Sequence, residues 1–416
     1  MKLFGPLYIF ILSLNVNLLA QSGWFPQTSG TTKYLFSTYF INADTGWAAG
    51  EGGIILKTTS GSNWLPQNSG TSNHLYSVYF TDANTGWSVG YDGTIIKTIN
   101  GGSNWFSQTS GTTLHLVSVY FTDVNTGWTV GSGFRSILKT TNSGNNWSPQ
   151  NITTAYSLSS VYFIDANIGW AVGSSGTIIK TTDGGINWIS LTSGTTHNLY
   201  SIYFADADTG WAVGGSTFFG GESIILKTTN GGSDWVPQTQ RGMGVRLESV
   251  YFTDADTGWT VGYYGYILKT TNSGTNWSLQ SSGTPNNLSS VFFIDANTGW
   301  AVGGSGTILK TTTGGVVTSV QEKRDMSIPT TFTLLQNYPN PFNVSTTIRF
   351  NLPNASYVTL KVYNLQGEEI ETLVRGERSA GAYEVKWDAP NLGSGIYFYN
   401  LRAGDYVKTR RFLLLK

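Results

Sequence analysis

The chain has 416 residues, and its 24 Lys plus Arg residues balance 24 Asp plus Glu residues at pH 7. Charged residues make up 12% and aromatic residues 14%, a composition that excludes an intrinsically disordered chain. The balanced charge argues against a nucleic-acid-binding protein, and the absence of Cys excludes disulfides and thiolate metal sites.

Residues 1–20 have the pattern of a secretory signal peptide. Lys2 precedes an apolar stretch from Leu3 to Leu14, which is too short to span a bilayer. Cleavage is expected after Ala20, and an N-terminal membrane anchor is the alternative. No other segment approaches about 18 consecutive apolar residues. We therefore expect a mature chain that lies outside the cytoplasm and has no transmembrane segment.

Residues 21–316 contain seven copies of one sequence unit, with a Gly-Trp pair recurring about every 41 residues. Each copy has four short stretches rich in β-branched and aromatic residues, separated by turn sequences such as Asp-Ala-Asn-Thr-Gly. This pattern predicts an all-β fold, a seven-bladed β-propeller, in which the repeated Trp residues are structural. They are Trp24, Trp47, Trp64, Trp87, Trp105, Trp128, Trp147, Trp170, Trp188, Trp211, Trp235, Trp259, Trp277 and Trp300.

Trp24 is displaced from the other copies of the repeat. The last copy ends near Thr312 without its second Trp, whereas Trp24 opens a GWFPQTSG segment that matches NWLPQNSG at residues 63–70. A propeller must close, or its first and last blades leave exposed edges. We therefore predict that the N-terminal segment supplies the outer strand of the blade that contains Trp300.

The repeated text, clearest from Ser77 to Trp105, resembles the family of photosystem II stability and assembly factors. The turn before the second Trp resembles the Asp-box (BNR) repeat, with Asn at most copies and Asp at Asp183. The resemblance implies an exported seven-bladed propeller that holds a client peptide through an arginine-rich patch. This propeller has three arginines, Arg135, Arg241 and Arg246.

Residues 317–330 form a polar linker by composition, and residues 331–416 contain six or seven alternating segments that predict a small immunoglobulin-like β-sandwich. Their motifs resemble the C-terminal sorting domain of the type IX secretion system. That resemblance implies recognition by this secretion machinery, in a Bacteroidota-type bacterium, and a secreted or surface-attached product. The residues that carry it include Asn337, Pro339, Asn340, Pro341, Phe342, Gly395 and Tyr397.

Several polar positions recur once per blade and are candidate sites. A ring of turn aspartates such as Asp82 is expected to cap turns, with a calcium role as the alternative. Repeated lysines such as Lys97 are expected to be solvated, with a functional cationic ring as the alternative. The three histidines, His74, His115 and His197, lack metal-ligand spacing, so we expect neither a metal nor another cofactor.

Function is expected where the repeat is broken. The loops after residue 214 and residue 239 are longer or different from their equivalents, and the following copy reads GYYGY. Aromatic, Met and Arg residues there have the composition of a binding surface, with loop drift as the alternative. These candidate binding residues are Phe218, Phe219, Arg241, Met243, Arg246, Tyr263, Tyr264 and Tyr266.

The sequence therefore predicts an exported, non-catalytic interaction module for an unknown protein or glycan ligand. One alternative is a chaperone for a membrane complex, as the assembly-factor resemblance suggests. Another is a sialidase-like or other carbohydrate-active enzyme, because Asp-box propellers include sialidases. The enzyme is disfavoured, since the propeller has few Arg and Glu residues to clamp and cleave an anionic sugar.

Overall fold

In the computed structural model, the described residues form β-strands, turns and short 3-10 turns, and the chain divides into two compact units, Met1–Thr318 and Ser319–Lys416. No helix in the described residues is long and apolar enough to cross a membrane. The expected signal peptide and linker lie outside the described residues. The structure describes residues 23–133, 137–152, 154, 156–216, 222–238, 244–316, 331–343, 345–378, 380–389 and 392–415.

The described residues of the first unit form seven four-stranded antiparallel sheets, which are the blades of a β-propeller. The innermost strands contact their equivalents in both neighbouring blades. They are β2 (Leu35–Phe40), β6 (Leu75–Phe80), β10 (Leu116–Phe121), β14 (Leu158–Phe163), β18 (Asn198–Phe204), β22 (Leu247–Phe252) and β26 (Leu288–Phe293). The second strands are β3 (Thr45–Gly50), β7 (Gly86–Gly90), β11 (Gly127–Gly131), β15 (Gly169–Gly173), β19 (Thr209–Gly215), β23 (Gly258–Gly262) and β27 (Gly299–Gly303).

The two outer positions of each blade complete the sheets. The third strands are β4 (Ile55–Thr59), β8 (Ile95–Thr98), β12 (Ile137–Thr140), β16 (Ile178–Thr181), β20 (Ser223–Thr229), β24 (Ile267–Thr270) and β28 (Ile308–Gly315). The outer strands are β5 (Trp64–Gln67), β9 (Phe106–Gln108), β13 (Ser148–Pro149), β17 (Ile189–Leu191), β21 (Val236–Pro237), β25 (Ser278–Gln280) and β1 (Gly23–Gln27). Five 3-10 turns join second to third strands: Glu51–Gly53, Tyr91–Gly93, Ser174–Gly176, Tyr263–Gly265 and Gly304–Gly306.

Each innermost strand departs from simple alternation at one point. In β2, Leu35 is buried, Phe36 and Ser37 are both half-buried, and Thr38 is buried again. The register with β3 shifts between Leu35 and Ser37, which is the irregularity produced by a β-bulge. The bulge leaves two consecutive side chains, Phe36 and Ser37, outside the blade core, and the same pattern recurs in the other innermost strands.

The N-terminal strand closes the ring, as the sequence predicts. β1 pairs antiparallel with β28, with Phe25 opposite Lys310, in the sheet that also contains Trp300. The Trp24 side chain is buried, and its Nε1 donates to Gln280 Oε1 at 3.0 Å. Residues far apart in sequence therefore complete one blade.

Each blade is joined to the next by a buried Trp. The Trp87 ring stacks on Phe121 of the next blade with centroids 3.7 Å apart, and its Nε1 donates to Ser143 O at 3.3 Å. The equivalent stack and hydrogen bond occur at every junction, including Trp300 on Phe40 at the closure. The seven Trp residues of the Gly-Trp pairs therefore join neighbouring blades.

A second ring of contacts lies nearer the axis. Ser77 Oγ accepts the backbone N–H of Val119 in the next blade at 3.2 Å, and the other six innermost serines make equivalent bonds. The circle closes where Ser290 accepts from Thr38 N at 3.2 Å. Because the innermost strand has no strand partner on its axial side, these hydroxyls satisfy backbone donors that would otherwise be unpaired.

The second unit has two sheets around one core. One sheet contains β29 (Thr333–Leu334), β30 (Ser345–Leu352) and β33 (Gly381–Asp388). The other has the order β32 (Glu369–Arg378), β31 (Ser356–Tyr363), β34 (Gly395–Ala403) and β35 (Tyr406–Leu414). Ile348 of the first sheet and Leu360 of the second belong to the same buried cluster. The immunoglobulin-like topology stays a prediction.

Candidate functional site

One face of the propeller, which we call the turn face, carries the turns between first and second strands and the Asp-box turns. Asp82 Oδ1 accepts the backbone N–H groups of Asn84 at 2.7 Å and Thr85 at 2.9 Å. Partial burial would raise the pKa of the Asp82 carboxyl, but these donors hold it below its ordinary value. Asn42 makes the same two bonds in the first blade. The aspartates therefore cap turns, and no group of three potential metal-ligating acidic or His side chains occurs in the described residues.

The repeated lysines are not simply solvated, which corrects the expectation from sequence. Lys97 Nζ lies 5.4 Å from the centroid of the Trp87 ring and donates to Ser143 O at 2.8 Å. Desolvation lowers the pKa of Lys97. Lys139 and Lys180 likewise cover a Trp ring and bond a carbonyl in the next blade. These lysines therefore form hydrogen bonds from one blade to the Asp-box turn of the next blade.

The opposite face, the loop face, carries the inter-blade loops and the 3-10 turns. The residue just before the first Leu of each innermost strand frequently accepts a hydrogen bond there. His74 Nδ1 accepts from Gly52 N at 2.9 Å, and His115 Nδ1 accepts from Asp92 N at 3.2 Å. Ser157, Asn198 and Asn287 accept at the equivalent position in other blades. The two histidines thus hold 3-10 turns in place, which requires the unprotonated Nδ1.

The residues on either side of the first Leu of each innermost strand differ between blades, although the strands themselves hardly change. In the first three blades they carry mostly aromatic and His side chains, whereas the fourth has Ser157 and Ser159 and the last has Asn287 and Ser289. The loop face is therefore asymmetric around the axis. We call its aromatic sector the aromatic arc, formed by Tyr34, Phe36, His74, Tyr76, Tyr91 and His115.

The rings of the aromatic arc form a continuous series of contacts. Phe36 lies between Tyr34 and Tyr76, with centroid distances of 5.0 and 5.2 Å. Tyr91 stacks on His115 at 4.1 Å and meets His74 edge-on at 6.1 Å. All six side chains are half-buried or exposed, so part of each ring faces solvent. The arc therefore offers a contiguous aromatic surface spread over three blades.

The arc reaches the last blade through Tyr34. Ser289 Oγ donates to the Tyr34 hydroxyl at 3.1 Å, and the Tyr34 ring lies against Gly304, where a Cβ would be 3.3 Å from Cε2. A side chain at Gly304 would therefore crowd this ring.

Four of the binding residues predicted from sequence, Phe218, Phe219, Arg241 and Met243, lie outside the described residues. Among the others, Arg246 is paired with Glu248, with Nε 2.5 Å from Oε1. Its guanidinium also lies 3.7 Å from the centroid of Tyr200 and 5.2 Å from that of Tyr263. Burial raises the pKa of Glu248 while Arg246 opposes that shift. The Arg246 side chain is thus fixed by contacts with neighbouring side chains of the loop face.

The remaining predicted residues have different environments. Tyr264 is 46% exposed and occupies the left-handed position of its 3-10 turn, with φ of 57°. Tyr266 packs against a buried cluster. The structure therefore brings Arg246 and Tyr263 together on the loop face, and places Tyr264 at the surface and Tyr266 against the core.

A belt of aromatic side chains surrounds the central axis, each contributed by an innermost strand. Neighbouring ring centroids are 4.7–5.2 Å apart around the whole circle. Burial raises the pKa of Tyr79 and Tyr162 far above the ordinary value, so the belt is uncharged at neutral pH. Its members are Tyr39, Tyr79, Tyr120, Tyr162, Tyr203, Tyr251 and Phe292. The seven rings therefore form a closed series of contacts around the axis.

Sequence reasoning missed the aromatic arc, although a signal for it was present. The two positions that flank the first Leu of each innermost strand vary between blades, while the positions around them repeat. In two successive blades both flanking residues are aromatic, namely Tyr34 and Phe36, then His74 and Tyr76. Comparing the copies column by column would have found it. The sequence expectation followed the longer loops instead, because an insertion interrupts the repeat more visibly than a substitution does.

In the second unit, the predicted sorting residues divide between core and surface. Asn337 is buried, and its Nδ2 donates to Thr346 Oγ1 at 2.9 Å. Phe342 is buried beside Trp387. Asn340 Oδ1 accepts from Leu413 N at 2.9 Å, which ties this segment to the last strand. The other motif residues are exposed or half-buried, namely Pro339, Pro341, Gly395 and Tyr397.

The sequence matches the family model "Photosynthesis system II assembly factor YCF48" over residues 57–152, 108–195, 148–219 and 187–284. These overlapping matches span more than half of the chain. The chain belongs to this family. The model "Secretion system C-terminal sorting domain" matches residues 336–415, which confirms the sorting-domain prediction and implies export to the cell surface or secretion. No curated protein matches the sequence.

Solved structures show the same propeller fold at low sequence identity. YCF48 bound to a D1 peptide has a TM-score of 0.59 and 19% identity, covering 70% of this chain and 97% of that one. A GH74 enzyme of Niastella koreensis has a TM-score of 0.57 and 13% identity, covering 79% and 59%. PorZ, a surface component of the type-IX secretion system of Porphyromonas gingivalis, has a TM-score of 0.51 and 12% identity, covering 92% and 59%. These likenesses concern the fold.

Proposed function

We propose that the protein is an exported binding module without catalytic activity, whose loop face holds a polypeptide ligand. The observation that carries this proposal is the aromatic arc, a half-exposed run of stacked rings located where an otherwise regular repeat changes. A strictly structural position would be expected to keep the residue type of the other blades. Aromatic side chains with few rotatable bonds are favoured in protein-binding surfaces.

A polypeptide fits the surface better than a compact molecule does. The arc is long and open, extending over three blades, and polar side chains border it. Asn73 Nδ2 donates to Thr94 Oγ1 at 2.8 Å beside it, and the Asp92 carboxylate is exposed. A YCF48 relative has been solved with a bound peptide, which supports this ligand class for the fold. Arg246, Tyr263 and Tyr264, with the predicted residues outside the described part, would extend the site across the face.

The placement of the carboxylates supports a non-catalytic role despite the GH74 likeness. On the turn face, Asp82 and its equivalents are engaged by backbone N–H groups. On the loop face, Glu248 is paired with Arg246, and the exposed Asp92 carboxylate lies 3.8 Å from His115 Nδ1. Glycoside hydrolysis requires two carboxyl groups that flank one bond, one as acid and the other as base or nucleophile. Incubation with xyloglucan and other polysaccharides is expected to release no reducing sugar, and turnover would contradict the proposal.

The domain organisation proposed with this function is a signal peptide at 1–20, the propeller at 21–316, a linker at 317–330 and the sorting domain at 331–416. The C-terminal sorting domain of the type IX secretion type would direct the propeller to the outside of the cell. Mass spectrometry of the mature protein tests both ends, because the proposed cleavage leaves Gln21 as the first residue.

Array binding tests the ligand proposal directly. The full chain is expected to select a subset of a peptide array, and Phe36→Ala/Tyr76→Ala should abolish that selection without unfolding the protein. Tyr156→Ala is the matched control, because Tyr156 is a 53% exposed tyrosine outside the arc. Selection on a glycan array alone, or equal loss with the control, would contradict the assignment of the arc as a peptide site.

A further inference from the structure

The four-stranded sheet of the sorting domain presents an outward face that the family motif does not explain. Along β31, Val358, Leu360 and Val362 point into the core and are fully buried. The residues between them therefore lie on the opposite side of the sheet, because side chains alternate along a strand. A groove of about 450 Å³ on this side is lined by Tyr357, Thr359, Lys361, Tyr363, Arg375, Asn400, Arg402 and Gly404.

Two arginines flank a hydroxyl at the centre of this face. Thr359 of β31 is directly opposite Arg375 of β32 and Arg402 of β34. With adjacent strands about 4.8 Å apart, the Cα atoms of the two arginines are about 10 Å apart on either side of Thr359. Both side chains are exposed. We call Arg375, Thr359 and Arg402 the arginine row.

The charges near the arginine row leave it positive. Lys361 is already paired with Glu369 at 2.6 Å, and Thr372 also donates to that carboxylate at 2.7 Å. The hydrogen bonds from Lys361 and Thr372 lower the pKa of Glu369, and the charge of Arg375 adds a smaller contribution in the same direction. Within the described residues, neither Arg375 nor Arg402 has an ion pair closer than 4.0 Å. Glu377, opposite Tyr357, is an exposed carboxylate on the same side of the sheet, but neither guanidinium forms an ion pair with it.

We propose that the arginine row is the recognition surface of the sorting domain, and that it binds a protein surface that presents carboxylates. Arginine pairs with a carboxylate through two parallel hydrogen bonds, and Thr359 supplies a further polar group between the two. The face is broad and shallow, and the tyrosines at its edge favour a protein over a small enclosed ion. The sorting-domain match supports a partner in the secretion machinery.

The buried part of the family motif is poorly placed to act as that surface. Asn337 and Phe342 are each 2% exposed, so they determine the fold of the domain rather than contact a partner. The exposed segment around Tyr338, which is 79% exposed, is the competing epitope within the motif. The two surfaces can be separated by substitution.

The first experiment measures binding of the full chain to an immobilised Glu-rich peptide at low ionic strength. Arg375→Glu/Arg402→Glu is expected to weaken binding about tenfold or more, because both attractive charges are reversed. Arg349→Glu/Arg378→Glu makes the same charge change elsewhere in the domain and should alter binding by less than about twofold. Equal losses would overturn the proposal, as would binding to phosphatidic acid vesicles but not to the peptide.

The second experiment separates recognition from folding. Arg375→Gln/Arg402→Gln relieves repulsion and should leave the melting temperature unchanged or higher, whereas a drop would indicate a structural role and overturn the proposal. In a type IX-secreting cell, the same variant is expected to accumulate in the periplasm. Normal export of this variant together with failure of Tyr338→Ala would assign recognition to the motif segment instead.

Discussion

The turn face and the loop face of the propeller are built by the same strands but vary in opposite ways. On the turn face, each blade repeats a buried Trp, a turn carbonyl and a Lys, as in Trp87, Ser143 and Lys97. On the loop face, the equivalent positions range from Tyr34 and Phe36 to Ser157 and Ser159. The difference indicates that the turn face holds the ring together and that the loop face is free to specialise. Substitutions on the first should change stability, and substitutions on the second should change binding.

The largest effect is expected from removing the closing strand. Deletion of residues 21–30 eliminates β1 and exposes the edge of β28, so the single cooperative thermal transition of the propeller should be lost. Calorimetry of the full chain measures this. Deletion of residues 321–330 removes the same number of residues without touching a blade and should preserve the transition. An unchanged melt in the first variant would show that closure does not depend on β1.

The next largest effect is expected on the free energy of unfolding, when one residue from each face is replaced. Trp87→Ala removes a fully buried ring and its hydrogen bond, and should lower the free energy of unfolding by about 3–5 kcal/mol. Tyr76→Ala, on the aromatic arc, should cost about 1 kcal/mol or less, because the ring is partly exposed already. Chemical denaturation gives both values. Similar losses at the two positions would remove the distinction between the faces.

The lysine contact should produce a smaller change. Lys97→Met keeps the aliphatic chain over Trp87 but removes the bond to Ser143 O, and we expect a loss of about 1 kcal/mol. Lys33→Met is the control, because Lys33 is exposed on the loop face. Among the residues that the structure describes, its Nζ makes only a long, 3.4 Å hydrogen bond to Gly52 O. Equal stability of the two variants would restore the interpretation of Lys97 as a solvated residue.

The smallest expected effect concerns acid stability. The pKa values of Asp82, Asp123 and Asp254 lie below the ordinary value, so their stabilising contribution is present above about pH 4 and is lost as pH falls through the folded pKa. The triple Asp→Asn variant keeps the oxygen acceptor, as Asn42 does naturally. Its melting temperature should therefore fall less steeply between about pH 5 and pH 3. A slope identical to that of the unaltered protein in the triple variant would contradict the assignment.

Much of the architecture could be predicted because it depends on short segments. The period of the Gly-Trp pairs, the β-branched strands and the displaced Trp24 together predicted a propeller and its closing strand. The terminal motifs predicted the sorting domain in the same way. Each of these features is encoded within a few residues of chain, and repetition makes the signal visible several times over.

The tertiary structure decided what half-exposed side chains do. Lys97 was expected in solvent, yet it is fastened to Ser143 because the neighbouring blade places a turn carbonyl beside it. Phe36 and Tyr76 join one surface only because a bulge turns each outward and the ring sets the two blades side by side. Sequence determines the conformation of each unit through local preferences and burial. The curvature of the ring determines which distant side chains meet, since such contacts depend on the packing of whole blades.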